Sequence, residues 1–151
     1  MNSLIIKGKQ NSGKTTTAAC VHNELINPEG ALLKLFRTAG GYMPVIGEMR
    51  DFWSVLDLGR KRIVIISQGD DANYLEKMME HLIWSYAPDI VVVCTRTRPV
   101  EGSSWNMLHD KYGSSIRQDC IFDVVLTPNP ADALNAKKAL ARTIVDKIKT
   151  L

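Results

Sequence analysis

The sequence lacks a long apolar run and is poor in cysteine. Its apolar stretches stay well short of the roughly 20 residues that a membrane-spanning helix needs, and residues 1–7 are too few for a secretory signal. Cys20, Cys94 and Cys120 are odd in number and widely separated, which favours free, buried thiols over a disulfide or a metal site. We therefore expect a cytoplasmic protein without a membrane partner.

The sequence also lacks a large excess of charge of either sign. The formal net charge is +3 over 151 residues, so no strong basic footprint argues for a nucleic-acid partner. Hydrophobic residues make up 45% of the chain and charged residues 23%, as in ordinary globular domains that bury a full core without disulfides. No repeat, low-complexity tract or linker is visible, and we expect one domain over residues 1–151.

Short apolar strands alternate with amphipathic helices along the chain. This alternation predicts an α/β fold with three αβα layers and a mainly parallel central sheet. The segments 51–57 and 62–67 flank a Gly59-Arg60 turn and are predicted to form an antiparallel hairpin at the sheet edge. Strands are predicted at residues 4–7, 31–36, 51–57, 62–67, 90–94 and 121–126, and helices at residues 14–26, from Asp70 or Asp71 to Tyr86, from Ser103 or Ser104 to Gly113, and from Pro130 onward.

Residues 8–15 read Gly-Lys-Gln-Asn-Ser-Gly-Lys-Thr and fit the phosphate-binding pattern G-x-x-x-x-G-K-[ST]. The pattern stands between a predicted strand and a predicted helix, which is the context that phosphate binding requires. Glycines let the backbone curl around an anion, and the helix adds N–H groups and the positive end of its dipole. In this pattern Lys14 contacts the β- and γ-phosphates and the Thr15 hydroxyl is a Mg²⁺ ligand. Thr16 is a further candidate for phosphate contacts.

Polar residues follow two other predicted strands. In open α/β sheets, ligands bind at the carboxyl ends of the strands. Asp70 and Asp71 follow the fourth predicted strand and are candidates either for a catalytic acid or for the cap of the next helix. Arg96 and Arg98 follow the fifth and are candidates for clamping a transferred phosphoryl group. The glycine-containing segment 37–50 is either a substrate or switch loop or a plain surface connection.

In these features the chain resembles the P-loop NTPase superfamily over nearly all of its length. Lys9 is similar to the extra signature lysine of the MinD/ParA-type ATPases, which reaches a partner's nucleotide across a dimer, so a homodimer is implied. The end of the fourth strand is similar to the Glu-Gly step in dethiobiotin synthetase and in MobB, a GTP-binding protein. Gln68 stands where that group has its acid, and an amide does not match a carboxylate as a metal-shell ligand. The same resemblance implies base contacts from Pro128 and Asn129.

Three functions are left open by the sequence. The first is Mg²⁺-dependent binding and hydrolysis of a nucleoside triphosphate, with ATP as the default and GTP as the alternative. The second is a small-molecule or nucleotide kinase with Arg96 and Arg98 as a lid, and the third is a nucleotide-binding accessory module with little turnover and an unknown protein partner. The candidates for catalysis are Lys14, Asp70, Arg96 and Arg98, for Mg²⁺ Thr15, and for the nucleotide Gly8, Lys9, Gln10, Asn11, Ser12, Gly13, Lys14, Thr15, Thr16, Pro128 and Asn129.

Overall fold

The strand and helix patterns of the sequence correspond to a mixed α/β structure. The computed structural model describes residues 1–10, 12–38, 51–96 and 101–151. These residues form six β-strands and four α-helices, which confirms the predicted α/β class. In chain order the elements are β1 (Asn2–Gly8), α1 (Lys14–Ile26), β2 (Leu32–Thr38), β3 (Phe52–Leu58), β4 (Lys61–Ile66), α2 (Ala72–Tyr86), β5 (Ile90–Arg96), α3 (Ser104–Tyr112), a 3₁₀ turn (Gly113–Ser115), β6 (Ile116–Asp123) and α4 (Pro130–Thr150).

The six strands form one sheet in the order β2-β3-β4-β5-β1-β6. Neighbours from β4 to β6 are parallel, whereas β3 is antiparallel to both β2 and β4. The predicted, mainly parallel sheet and the hairpin around Gly59 are confirmed. The expected edge position of the hairpin is wrong, because β2 pairs along the outer side of β3 and is itself the edge strand. Leu32 in β2 is accordingly 65% exposed, although its apolar sequence resembles that of a covered strand.

Side chains alternate between the two faces of the sheet and build two separate cores. α1 and α4 cover one face, where Leu4 and Ile6 of β1 are fully buried. α2 and α3 cover the other face, where Ile5 is equally buried. Each fully buried aliphatic side chain of this kind contributes about 1.5–3 kcal/mol relative to an exposed one. The centre of the sheet is therefore the stable frame from which the strand ends project.

Three of the four helices described begin after a residue whose side chain caps the helix. Asp71 caps α2, Ser103 caps α3, and Asn129 caps α4 with Pro130 in the first turn. α1 differs, because it begins after Gly13 without a side-chain cap. The backbone N–H groups of its first turn are thus not satisfied by a capping side chain.

β6 begins and ends earlier than predicted. It covers Ile116–Asp123 rather than residues 121–126, because an edge strand tolerates the polar residues 117–119 that resemble a loop in the sequence. Its register against β1 shifts between Ser3 and Ile5, which marks an irregular stretch. The backbone N–H of Val124 still donates to the Lys7 carbonyl at 2.7 Å.

Several remaining predictions concern single residues and segments. The three cysteines are free and buried, as expected. Among the helices of the described part of the chain, none is long and apolar enough to cross a membrane. Most of the candidate loop 37–50 lies outside the described residues, as do Asn11 and Arg98.

The end of β4 passes unusually close to β5. A Cβ on Gly69 would overlap the backbone carbonyl of Cys94 and lie 3.0 Å from the Thr95 nitrogen. Both obstacles are backbone atoms of a buried strand, so they cannot move aside as a flexible side chain would. A residue with a side chain would push apart the two strand ends that flank Asp70.

We expect Gly69→Ala to lower the free energy of unfolding by about 1–3 kcal/mol, as forced overpacking does. Urea denaturation monitored by circular dichroism measures the change. Gly113→Ala is the matched control, because nothing lies within 4 Å of its added Cβ and its φ of −55° suits alanine. Equal stability of the two variants would contradict the close strand approach.

Candidate functional site

A polar cavity lies where the carboxyl ends of the parallel strands meet the glycine-rich loop. It has a volume of about 450 Å³, which is within the range of small-molecule sites. β1 leads into the glycine-rich loop, and Ser67 directly follows the end of β4. β3 also contributes, because an antiparallel strand begins at the edge where its parallel neighbours end. The lining residues are Ser12, Gly13, Lys14, Thr15, Thr16, Asp51, Ser67, Asp70 and Lys137.

Two positions of the loop between β1 and α1, Gly8 and Gly13, require glycine. Gly13 has φ +95°, a left-handed conformation that favours glycine. A Cβ on Gly8 would meet the Ser12 hydroxyl and lie 3.0 Å from the Val124 carbonyl. The Ser12 Oγ is buried and has no hydrogen-bond partner among the described residues. A buried hydroxyl without a partner favours a ligand that completes its hydrogen bonding.

Lys14 is a buried cation at the mouth of this loop. Its side chain is only 7% exposed. Its Nζ donates to the carbonyl oxygens of Gly8 at 3.1 Å and Lys9 at 2.8 Å, and it lies 3.8 Å from the Asp70 carboxylate. The Cys94 thiol donates to the Lys14 carbonyl at 3.5 Å, and burial raises the pKa of that thiol, so it stays a neutral donor. The ammonium is thus held in place beside the cavity.

Thr15 is paired with an acid that the sequence reasoning missed. Its hydroxyl donates to Asp51 Oδ1 at 2.9 Å, and the Ser67 hydroxyl lies 3.4 Å from the same oxygen. The backbone of Phe52 in turn donates to Ser67 Oγ at 2.8 Å, which ties the start of β3 to the end of β4. A hydroxyl and a carboxylate side by side form a set of hard oxygen ligands suited to Mg²⁺.

The predicted hairpin contained the signal for Asp51. In an antiparallel hairpin with its turn at Gly59-Arg60, the first residue of one strand stands beside the last residue of the other. Asp51 therefore had to lie near Ser67, at the carboxyl edge of the parallel strands. The resemblance pointed instead to Gln68, which is half-buried and is not among the residues that line the cavity.

Asp70 and Asp71 have different structural roles. Asp71 caps α2 by accepting from the Tyr74 nitrogen at 3.0 Å, whereas Asp70 lines the cavity. The Arg96 Nε donates to Asp70 Oδ1 at 3.0 Å. A chain of charges thus runs from Lys14 through Asp70 to Arg96 across the ends of β4 and β5.

The other predicted nucleotide-contacting residues are more scattered. Thr16 lines the cavity, while Lys9 and Gln10 are exposed. Pro128 and Asn129 are exposed as well, and the Asn129 side chain accepts from the Ala131 nitrogen at 2.9 Å as the cap of α4. Base contacts from this pair therefore remain a prediction.

A second cavity of about 230 Å³ adjoins the first. It lies between the segment after β6 and one side of α4, and it shares Lys137 with the polar cavity. Its walls are mainly apolar. The lining residues are Asp123, Val124, Val125, Thr127, Ala136, Lys137 and Leu140.

A buried histidine of α1 packs against the first residues of β3. The His22 Nδ1 lies 3.0 Å from the Ser54 hydroxyl, and its ring packs edge-on against Phe36 and Phe52. The Nε2 atom has no partner within the described residues. Burial lowers the pKa of His22 to about 4, so the ring is neutral at physiological pH. This aromatic cluster fixes Phe52 and hence the neighbouring Asp51.

Within the described residues, no cluster of three or more His, Cys, Asp or Glu side chains forms a complete metal site. A divalent cation at Thr15 and Asp51 would therefore need further oxygen ligands from water or from a substrate. Protein-family models, curated proteins and solved structures give no match to this chain. What the cavity binds is therefore inferred from its own geometry and charge.

We expect acidification to destabilise the fold through His22. The pKa is about 6.5 in an unfolded chain and about 4 in the folded protein, so the unfolded state binds the extra proton first. This group's contribution to the free energy of unfolding is complete above the unfolded pKa. It falls by roughly 2 kcal/mol between about pH 7.5 and pH 5.

Urea denaturation of the wild type and of His22→Gln at the two pH values measures this loss. The variant keeps a polar side chain near Ser54 and has no titrating ring, so its stability should change much less with pH. If both proteins lose the same free energy of unfolding, the proton responsible is not on His22.

Proposed function

We propose that this protein binds and hydrolyses a nucleoside triphosphate in a Mg²⁺-dependent reaction, with residues 8–15 as a P-loop. The observation that carries the proposal is the joint placement of the buried Lys14 ammonium and the Thr15–Asp51 pair in one polar cavity. The uncapped start of α1 supports the same conclusion, because free N–H groups and the helix dipole favour a phosphate there.

The residues present fit a polyphosphate and its metal ion. Lys14 would bind the terminal phosphates, and the Ser12 hydroxyl has an unused hydrogen-bonding capacity beside them. Thr15 and Asp51 would hold Mg²⁺, the first directly and the second through Thr15 or a water. Such a site needs only one or two protein oxygens, because phosphates and waters supply the others. When bound, the ion would neutralise charge that develops on the phosphates.

Hydrolysis requires that a water attack the γ-phosphorus while the diphosphate leaves. The chain contributes mainly positioning and charge stabilisation to such a reaction. Lys14 would stabilise charge on the transferred group, and the Asp70 carboxylate, 48% exposed beside Lys14, is placed to orient the attacking water. Arg96, held by Asp70 at 3.0 Å, would add a second cation once it turns toward the phosphate.

The base of the nucleotide is inferred from the sequence. We propose ATP as the substrate and GTP as the alternative, because the sequence contains no Asn-Lys-x-Asp guanine motif. The exposed Lys9 and the implied homodimer also remain predictions, which the dependence of the rate on protein concentration would test.

A phosphotransferase is the second candidate. It is favoured by Arg96, whose guanidinium bonds to Asp70, a residue that lines the cavity. An arginine in this position would clamp a phosphoryl group on its way to an acceptor other than water. An accessory module with little turnover would bind nucleotide through the same residues and differ only in rate.

Lys14→Ala and Asp51→Asn should separate phosphate binding from metal binding. We expect Lys14→Ala to abolish triphosphate binding measured by titration calorimetry. Asp51→Asn should bind nucleotide in EDTA like the wild type and lose about 10–100-fold of the Mg²⁺ affinity, as outer-shell carboxylate losses do. Asp110→Asn is the charge-matched control, since Asp110 is exposed on α3.

Two results would contradict this assignment. Unchanged triphosphate binding in Lys14→Ala, with circular dichroism showing a folded protein, would exclude residues 8–15 as the phosphate site. A Mg²⁺ dependence in Asp51→Asn equal to that of Asp110→Asn would exclude Asp51 from the metal shell.

Arg96→Ala tests the phosphoryl-clamping role. We expect the turnover number for phosphate release to fall by about ten-fold or more, since a lost transition-state donor costs that much or more. The diphosphate Kd should stay unchanged. Arg60→Ala, at the exposed β3–β4 turn, is the control. If Arg96→Ala turns over normally with every acceptor tried, Arg96 serves only to hold Asp70.

A further inference from the structure

Lys137 of α4 reaches across the glycine-rich loop. Its Nζ lies 2.6 Å from the point where a Cβ on Gly13 would stand, and its Cε lies nearer still. Gly13 directly precedes α1, so the Lys137 ammonium lies over the uncapped start of that helix. Nothing in the local sequence indicates this contact, because it arises from the packing of α4 against α1.

Within the described residues, no carboxylate neutralises the charge of Lys137. Three of the other four cations of α4 have carboxylate partners among the described residues, whereas Lys138 has none: Arg142 contacts Glu24 and Glu29, Lys147 contacts Asp119 and Lys149 contacts Glu29. Lys137 makes no ion pair with any of the residues that the structure describes. A second cation therefore faces the polar cavity in addition to Lys14.

Lys137 also lines both cavities. The polar cavity contains the groups suited to terminal phosphates and Mg²⁺, while the second cavity is mainly apolar and suits the nucleoside. A ligand that occupies both must pass Lys137, the residue that the two cavities share. The part of a nucleoside triphosphate between the two cavities is the phosphate attached to the sugar.

We propose that Lys137 is a second phosphate-binding lysine, which contacts the phosphate nearest the nucleoside. The proposal rests on the proposed function and extends it to a residue outside the glycine-rich pattern. The buried Ser12 hydroxyl, which has no partner among the described residues, lines the same cavity and independently indicates a ligand there. The two lysines would then bind different parts of the ligand. Lys14 would contact the terminal phosphates, and Lys137 would contact the phosphate attached to the sugar.

The binding of ATP, ADP and AMP to Lys137→Met tests this division. We expect all three ligands to bind about ten-fold more weakly, since a hydrogen bond to a charged group is lost from each. Lys14→Met should weaken ATP and ADP strongly and AMP little. Lys138→Met is the matched control, because Lys138 is the next residue of α4, carries the same charge and lines a different surface pocket near Cys20.

Lys137→Arg keeps the charge and should retain most of the affinity, which separates the ammonium's role from a structural one. If the wild type binds no nucleotide, the proposed function fails. If the wild type binds and Lys14→Met does not, but Lys137→Met matches Lys138→Met, the inference about Lys137 alone is overturned. A loss confined to ATP, with AMP unaffected, would also overturn it, since the contact would then lie at a terminal phosphate.

Discussion

The chain reversal at Gly59-Arg60 is the constraint on which the cavity depends. Four consecutive neighbours in the sheet, from β4 to β6, run in one direction, and their carboxyl ends meet at one edge. Only a strand running the other way can bring its first residue to that edge. β3 does so, and Asp51 thereby reaches Thr15 although 36 residues separate them in the chain.

The frame beneath the cavity is apolar and tightly packed, whereas the cavity wall is polar. Side chains such as Ile65 and Val92 are fully buried in the central strands, and Gly69 allows β4 and β5 to approach closely at their ends. Polar groups at those ends are therefore attached to strands whose apolar side chains are buried. Lys14, Asp70 and Arg96 are attached to different segments of this frame, so each charged group has its own backbone anchor.

Much of the local structure could be predicted from the sequence, since it depends on near neighbours. The glycine-rich loop, the cap at Asn129 and the hairpin turn at Gly59 are all properties of short segments. The relation between Asp51 and Thr15, the separate places of Asp70 and Asp71, and the reach of Lys137 over Gly13 depend on how distant segments meet. The edge position of β2 belongs to the same class, because no residue in it specifies which strand it joins.

The bonds from Lys14 to the Gly8 and Lys9 carbonyls give the loop an internal tether. The two bonds fix Gly8 and Lys9 relative to Lys14, which lowers the entropy cost of ordering these residues around a ligand. Through the same bonds Lys14 has a structural role in addition to its positive charge. A neutral residue there would leave two carbonyls without their donor, so a change at this position removes two hydrogen bonds of the loop together with a positive charge.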